Sequence, residues 1–142
     1  MYLTNLHILI AEDDIDDADL INFSFGKCNY FDRINIVQNG VELLDFLNNN
    51  RGDLPDIILT DLNMPKKNGY ESLLEIAADK DFSKIPVFVY STTINPSYAL
   101  KCKELGARDF IIKPFKLEAI ENMPFSLVEY LNTTVPGYTE TK

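Results

Sequence analysis

Residues 6–14 read LHILIAEDD, a nearly continuous apolar run that ends in three consecutive acids. Because its apolar residues do not alternate with polar ones, the run is typical of a strand covered by helices on both faces. Four more short runs of aliphatic and aromatic residues follow along the chain, at 34–37, 57–60, 87–90 and 110–112. The pattern predicts five buried strands, the first at Leu6–Ala11.

Stretches with helical spacing separate these strands, at residues 16–25, 41–49, 70–78 and 97–105. Leu43, Leu44 and Leu47 show the spacing of three and four residues that places side chains on one face of a helix. Alternating strands and helices predict an α/β fold, (βα)5, with right-handed crossovers and a three-layer sandwich.

The ends of two helices carry specific expectations. An acid after the first strand, Asp16 or Asp17, is expected to cap the first helix. The last helix, at about 116–131, contains Pro124. Proline removes a donor and clashes with the preceding turn, so a kink or a break is expected there.

Length and composition limit the function. The 142 residues, with a formal net charge of −9, predict one domain at 1–132 and a loose polar tail at 133–142. The acidic charge argues against a nucleic-acid partner. The longest apolar run is too short to span a membrane. Two cysteines are too few for a disulfide framework. These features predict a cytoplasmic protein with reduced thiols.

Several conspicuous residues have an ordinary structural interpretation. His7 is expected to be structural, and the cysteines to be packing residues. The expected core residues on the helices include Phe23, Phe25, Phe46 and Leu74.

Polar groups follow each strand, where an open parallel sheet binds its ligands. They are Glu12, Asp13 and Asp14 after the first strand, Asp61 after the third, Ser91, Thr92 and Thr93 after the fourth, and Lys113 after the fifth. Two carboxylates ~5 Å apart repel by roughly 3 kcal/mol at an effective dielectric of ~20. Their gathering predicts a cation, and oxygen donors with several waters suit Mg²⁺. Lys113 supplies a charge for an anion, and an ionised Asp61 can act as a nucleophile.

These residues, with Pro65 and Gly69 after Asp61 and the run 106–115, resemble the receiver domain of bacterial two-component response regulators. The resemblance covers about residues 6–131. Residues 64–69, MPKKNG, further resemble single-domain receivers of the chemotaxis-regulator type and those related to cyanobacterial phytochrome regulators. The resemblance to receiver domains implies a flavodoxin-like, doubly wound sheet of strand order 2-1-3-4-5. It also implies a stand-alone regulator, not an enzyme with its own substrate.

The resemblance also assigns roles to the site residues. It makes Asp61 the phosphoacceptor, with Mg²⁺ bound by Asp13, Asp61 and the Asn63 main-chain carbonyl. Glu12 would act on the metal through water. The triple acid leaves a second register open, in which Asp13 and Asp14 form the pair.

The remaining roles lie on the last two strands. Lys113 contacts the phosphoryl group, and the peptide bond between Lys113 and Pro114 is expected to be cis. Ser91 is the switch hydroxyl, with Thr92 as the alternative by one residue. Phe110 is the aromatic switch residue, and Asn63 and Thr93 tune hydrolysis of the phosphorylated form.

The implied partners are a sensor histidine kinase or phosphotransfer protein and a downstream protein not named by the sequence. A homodimer is also among the arrangements that the resemblance allows. The alternative function is a haloacid dehalogenase-type phosphatase, which also uses an aspartate nucleophile. That chemistry needs a general acid two residues later, and the chain has Asn63 there.

Overall fold

The computed structural model describes residues 4–92, 95–114 and 116–134, with side chains through residue 132. It contains one five-stranded parallel sheet of order β2-β1-β3-β4-β5, as expected. The strands are β1 (Leu6–Ala11), β2 (Phe31–Val37), β3 (Ile57–Asp61), β4 (Val87–Ser91) and β5 (Asp109–Ile112). The helices are α1 (Ile15–Gly26), α2 (Gly40–Asn49), α3 (Gly69–Ala78), α4 (Pro96–Glu104) and α5 (Leu117–Thr134). A 3₁₀ turn at Phe82–Lys84 precedes β4.

Side chains on each strand alternate between two separate core layers. On β1, Ile8 and Ile10 pack with residues of α1 and α5, whereas Leu9 and Ala11 pack with residues of α2, α3 and α4. Because both faces of the strand are buried, a continuous apolar run is required. The predicted three-layer sandwich is confirmed.

Asparagine side chains cap three of the helices. Asn39, Asn68 and Asn95 each accept a hydrogen bond from a main-chain N–H in the first turn of α2, α3 and α4. Asn68 and Glu71 form a reciprocal capping box, which satisfies two donors at the start of α3. These caps fix where the helices begin behind the carboxyl ends of β2, β3 and β4.

The cap of α1 differs from the prediction. Asp14, and not Asp16 or Asp17, precedes the helix in extended conformation, and its side chain accepts from the N–H of Asp17 at 2.9 Å. The helix therefore begins earlier, at Ile15, and Asp16 and Asp17 lie in its first turn. Acids there interact favourably with the helix dipole without capping the helix.

Two predicted core residues are exposed. Phe23 is 62% exposed and Leu74 is 43% exposed, whereas Phe25 is fully buried and Phe46 packs at the margin of the core. Helical spacing gives the period of an apolar face but leaves its direction open. On α1 the buried face contains Ile21, Ser24 and Phe25, so Phe23 points away from it.

The helix α5 runs through Pro124 without a break, so of the kink or break expected there the break does not occur. It extends to Thr134, two residues beyond the expected end of the domain at 132. The remainder of the predicted tail, residues 135–142, lies outside the described residues. Among the described residues, no helix is both long enough and apolar enough to cross a bilayer.

His7 and both cysteines are buried, as their structural interpretation predicts. Arg33 donates to Nδ1 of His7 at 2.8 Å, and Nε2 lies 2.7 Å from Oδ1 of Asn35. Arg33 also forms a salt bridge with Asp53. These contacts lie at the start of β1, at the opposite end of the strand from the three acids.

Gly69 is required where α3 meets β3. A Cβ atom at this position would lie 2.4 Å from the main-chain oxygen of Asp61. We expect Gly69→Ala to lower the free energy of unfolding by roughly 1–3 kcal/mol, because the backbone must shift to relieve the overlap. Gly26→Ala is the matched control, since a Cβ there meets nothing within 4 Å. Equal urea-unfolding midpoints for the two variants would contradict this expectation.

Candidate functional site

Three carboxylates meet at the carboxyl ends of β1 and β3. One oxygen from each of Glu12, Asp13 and Asp61 lies within 4.8 Å of the other two. Glu12 and Asp61 are buried, and Asp13 is exposed. The neighbouring positions of β1 and β3 in the sheet bring these acids together, as the polar ends of the strands predict.

The third acid of the run has a different place. Asp14 caps α1 with its side chain, while its main-chain N–H donates to Oε2 of Glu12 at 3.0 Å. Within the described part of the chain, the group of acids able to surround a cation contains Asp13 and lacks Asp14. This arrangement favours the register in which Glu12 and Asp13 form the acidic pair.

Lys113 reaches from the end of β5 into the acidic group. Its Nζ lies 2.6 Å from Oε1 of Glu12, 2.9 Å from Oδ2 of Asp17 and 3.3 Å from Oδ2 of Asp61. Burial disfavours the ammonium form, but hydrogen bonds to Glu12 and Asp17 and the charge of Asp61 outweigh it, so the pKa of Lys113 is raised. Lys113 therefore carries a full positive charge at neutral pH.

The contact with Asp17 was not predicted. The sequence assigns this acid to the start of α1, where it is indeed found. Its distance from Lys113 depends on how α1 lies against the end of β5, which spacing along the chain does not reveal.

Burial raises the pKa of Asp61 to about 6. The N–H of Asn63, which donates to Oδ1 of Asp61 at 3.1 Å, and the charge of Lys113 oppose this shift, whereas the charge of Glu12 adds to it. A carboxyl group with this pKa is still mostly ionised at pH 7, and a bound cation would favour its ionised form further.

Ser91 and Thr92 differ sharply in burial. Ser91 ends β4 and is buried, and Nδ2 of Asn63 lies 3.5 Å from its Oγ. Thr92 is exposed. Thr93, assigned to hydrolysis, lies outside the described residues.

Phe110 lies on the same face of the sheet as Ser91. In the parallel register Phe110 pairs with Val89, and Ser91 follows two residues later on β4. Phe110 is half-buried and packs against the core layer beneath α2, α3 and α4. A side chain in this position has an open side toward solvent as well as a packed one.

Tyr90 belongs to the site, although its place in the sequence predicts only a residue of the fourth strand. It is fully buried on β4, and its hydroxyl donates to Oε1 of Glu12. Burial first, and then the charge of Glu12, raise the pKa of Tyr90 far above its ordinary value. A buried tyrosine hydroxyl needs a hydrogen-bond partner. This requirement is the only signal in the sequence that points to a role for Tyr90 in the site.

The peptide bond between Lys113 and Pro114 is trans, so the expected cis bond is wrong. For a bond before proline the trans form is favoured by about 0.5–1 kcal/mol unless the surrounding structure selects the other isomer. With this peptide bond in the trans form, Nζ of Lys113 reaches Oε1 of Glu12.

The donor set fits a hard divalent cation. Carboxylate oxygens are the preferred ligands of Mg²⁺, and a small number of protein ligands leaves room for waters and for phosphoryl oxygens. The exposed Asp13 keeps the group of acids accessible from solvent.

Comparison with known proteins gives a consistent family. Residues 8–124 match the response regulator receiver domain. The two-component response regulator ORR3 of Oryza sativa subsp. indica is 31% identical over 110 residues, covering 78% of this chain and 81% of that protein. The two-component response regulator-like protein APRR1 of Arabidopsis thaliana is 28% identical over 120 residues. These residues are 84% of this chain but only 19% of the length of APRR1.

Two solved structures are similar over nearly their whole length. The phosphorylated cyanobacterial phytochrome response regulator RcpA has a TM-score of 0.81 and 30% identity, covering 93% of this chain and 98% of that chain. The Mn²⁺-bound form of the response regulator Rcp1 has a TM-score of 0.73 and 27% identity, covering 96% of each chain.

Proposed function

Because this chain belongs to the family of response regulator receiver domains, we propose that it accepts a phosphoryl group on Asp61 and signals through its surface. The observation that carries the proposal is the buried Asp61 carboxylate, next to two further acids and 3.3 Å from Lys113. Grouping like charges around a buried acid is unfavourable by itself. A site that binds a cation and a phosphoryl group accounts for the grouping, because the cation offsets the repulsion between the carboxylates.

In the proposed reaction an oxygen of Asp61 attacks the phosphorus of a phosphohistidine on the donor protein. The new O–P bond forms as the N–P bond breaks, and the electron pair returns to the imidazole nitrogen of the donor. Lys113 places its ammonium group beside the acceptor carboxylate, where it offsets the negative charge of the incoming oxygens. The chain is itself the acceptor, which makes the protein a signalling domain without a separate substrate.

The residues proposed to hold a divalent cation are Asp13, Asp61 and the main-chain carbonyl of Asn63, with Glu12 acting through water. Bound Mg²⁺ would neutralise charge on the phosphoryl oxygens. A Mn²⁺-bound form of the similar regulator Rcp1 supports a divalent ion. The waters that Mg²⁺ retains in proteins favour it over larger cations.

The proposed donor is a sensor histidine kinase or a phosphotransfer protein, and the output is contact with a downstream protein in the cytoplasm. Free, buried thiols at both cysteines are compatible with a reducing compartment. A phosphatase of the haloacid dehalogenase type is disfavoured, because Asn63 cannot act as its general acid.

Ser91 and Phe110 are proposed to carry the signal. A phosphoryl group at Asp61 adds about two negative charges and strong acceptor oxygens. Movement of the Ser91 hydroxyl toward these oxygens vacates space at the end of β4. Phe110, half-buried on the same face of the neighbouring strand, is placed to enter that space. The surface at α4 and β5 then changes shape.

We expect Ser91→Ala to accept phosphate from acetyl phosphate with Mg²⁺ more slowly, and to lose the accompanying shifts at Phe110 and α4. ¹H–¹⁵N NMR spectra of each protein before and after phosphorylation measure both effects. Thr92→Ala is the matched control, and should behave as wild type because Thr92 is exposed. The absence of any phosphorylation in wild type would contradict the proposed function. Equal shifts in wild type and Ser91→Ala would contradict only the proposed switch.

A further inference from the structure

Tyr90 lies beneath the acidic group and contacts one of its members, Glu12. The residue pairs with Asp61 in the register of β3 and β4, and its side chain lies on the face of the sheet covered by α1 and α5. From there the hydroxyl reaches past β3 to Oε1 of Glu12. The Nζ of Lys113 lies 5.1 Å from the centre of the Tyr90 ring.

The hydrogen bonds of Glu12 leave its carboxylate little freedom. Oε1 accepts from Tyr90 and lies 2.6 Å from Nζ of Lys113, and Oε2 accepts from the N–H of Asp14 at 3.0 Å. A carboxylate has about four lone-pair directions. With three of them occupied by protein donors, one direction on Oε2 is free for a cation or its water.

The three donors are not equivalent. Lys113 also contacts Asp17 and Asp61, so its ammonium group is shared among three acids. The Asp14 N–H lies at the start of α1, and the Tyr90 hydroxyl belongs to a residue of the sheet. Only Tyr90 among these donors reaches Oε1 from the packed core, where its side chain is fully buried.

We infer that Tyr90 is a positioning residue for the cation site, holding Glu12 so that Oε2 is the oxygen presented to a bound divalent cation. The inference rests on the proposed function, because it concerns the same acidic group. When Lys113 moves toward a phosphoryl group, the Tyr90 hydroxyl still satisfies Oε1. The buried carboxylate therefore keeps its orientation.

The test compares Mg²⁺ binding by wild type, Tyr90→Phe and Tyr130→Phe. We expect Tyr90→Phe to raise the Mg²⁺ dissociation constant roughly tenfold, the low end of the loss seen when a group that orients a metal ligand is removed. Tyr130→Phe is the matched control, because it removes a hydroxyl that bonds the main-chain oxygen of Arg108, before β5 and away from the acids. Titration with MgCl₂, followed by ¹H–¹⁵N NMR, gives each dissociation constant, and thermal unfolding gives each Tm.

A cycle with Glu12→Ala separates positioning from a general packing effect. If Tyr90 acts through Glu12, then Tyr90→Phe has no further effect on Mg²⁺ binding in the Glu12→Ala background. An unchanged dissociation constant for Tyr90→Phe, or equal losses in both backgrounds, would overturn the inference. Failure of wild type to bind Mg²⁺ at all would instead overturn the proposed function.

A measurement on wild type keeps the inference testable if Tyr90→Phe does not fold. In protein labelled with ¹³C at tyrosine Cζ, the Tyr90 resonance should move as MgCl₂ is added. Its shift should saturate with the same Mg²⁺ dissociation constant that the ¹H–¹⁵N titration of wild type gives. The Tyr130 resonance should stay in place. A Tyr90 resonance that ignores Mg²⁺ would show that its hydroxyl is not coupled to the site.

Discussion

We expect the Asp61→Asn variant to take up no phosphoryl group from acetyl phosphate and Mg²⁺, under conditions in which wild type takes up one. The neutral amide has no carboxylate oxygen with which to form an acyl phosphate. Intact-mass spectrometry measures the uptake directly. Asp45→Asn is the matched control, because Asp45 is an exposed acid on α2. This variant should take up one phosphoryl group, as wild type does. Full labelling of Asp61→Asn would contradict the assignment of the acceptor.

The stability of Asp61→Asn separates lost chemistry from lost folding. Burial raises the pKa of Asp61 from 3.8 to about 6, so between these pH values the folded protein holds a proton that the unfolded chain has released. Stability from this group is therefore complete below about pH 4 and is lost as the pH rises through about 6. At pH 7 the neutral amide relieves this cost, so we expect a Tm for Asp61→Asn no lower than that of wild type.

Much of the fold could be predicted because most strands contain a nearly continuous apolar run between polar ends. The exception is β2, which contains Asp32, Arg33 and Asn35 and begins at Phe31, three residues before its predicted start. β1 is found at its predicted bounds, since the acids at residues 12–14 end it sharply. Directions of side chains were harder to predict. Phe23 and Leu74 follow a helical spacing, but the side of the helix that meets the sheet depends on tertiary packing.

The acidic group could be predicted for a related reason. Carboxyl ends of parallel strands meet at one edge, so Glu12, Asp13, Asp61 and Lys113 could be brought together from their places after the strands. The contacts of Tyr90 and Asp17 could not. The first needs a side chain to reach across β3 to the end of β1, and the second needs the position of α1 relative to β5.

The two adjacent acids Asp13 and Asp14 give the sharpest test of the register, because Asp13 lies with Glu12 and Asp61 whereas the Asp14 side chain caps α1. We expect Asp13→Ala to weaken Mg²⁺ binding by at least about 100-fold, more than removal of a group that only orients a ligand. Phosphorylation by acetyl phosphate should fall with it. Its thermal stability should change little, since Asp13 is exposed and is not the cap of α1.

Asp14→Ala should show the reverse result. It removes the side chain that accepts from the N–H of Asp17, and loss of such a cap costs roughly 1 kcal/mol of folding stability. The main-chain N–H that Asp14 donates to Glu12 remains, so Mg²⁺ binding should stay within about twofold of wild type. Each variant is expected to lose one property, Mg²⁺ binding or thermal stability, and to keep the other. Neither general unfolding nor a general loss of negative charge can produce both results. If Asp14→Ala is instead the variant that loses most of its Mg²⁺ binding, the acidic pair is Asp13 and Asp14.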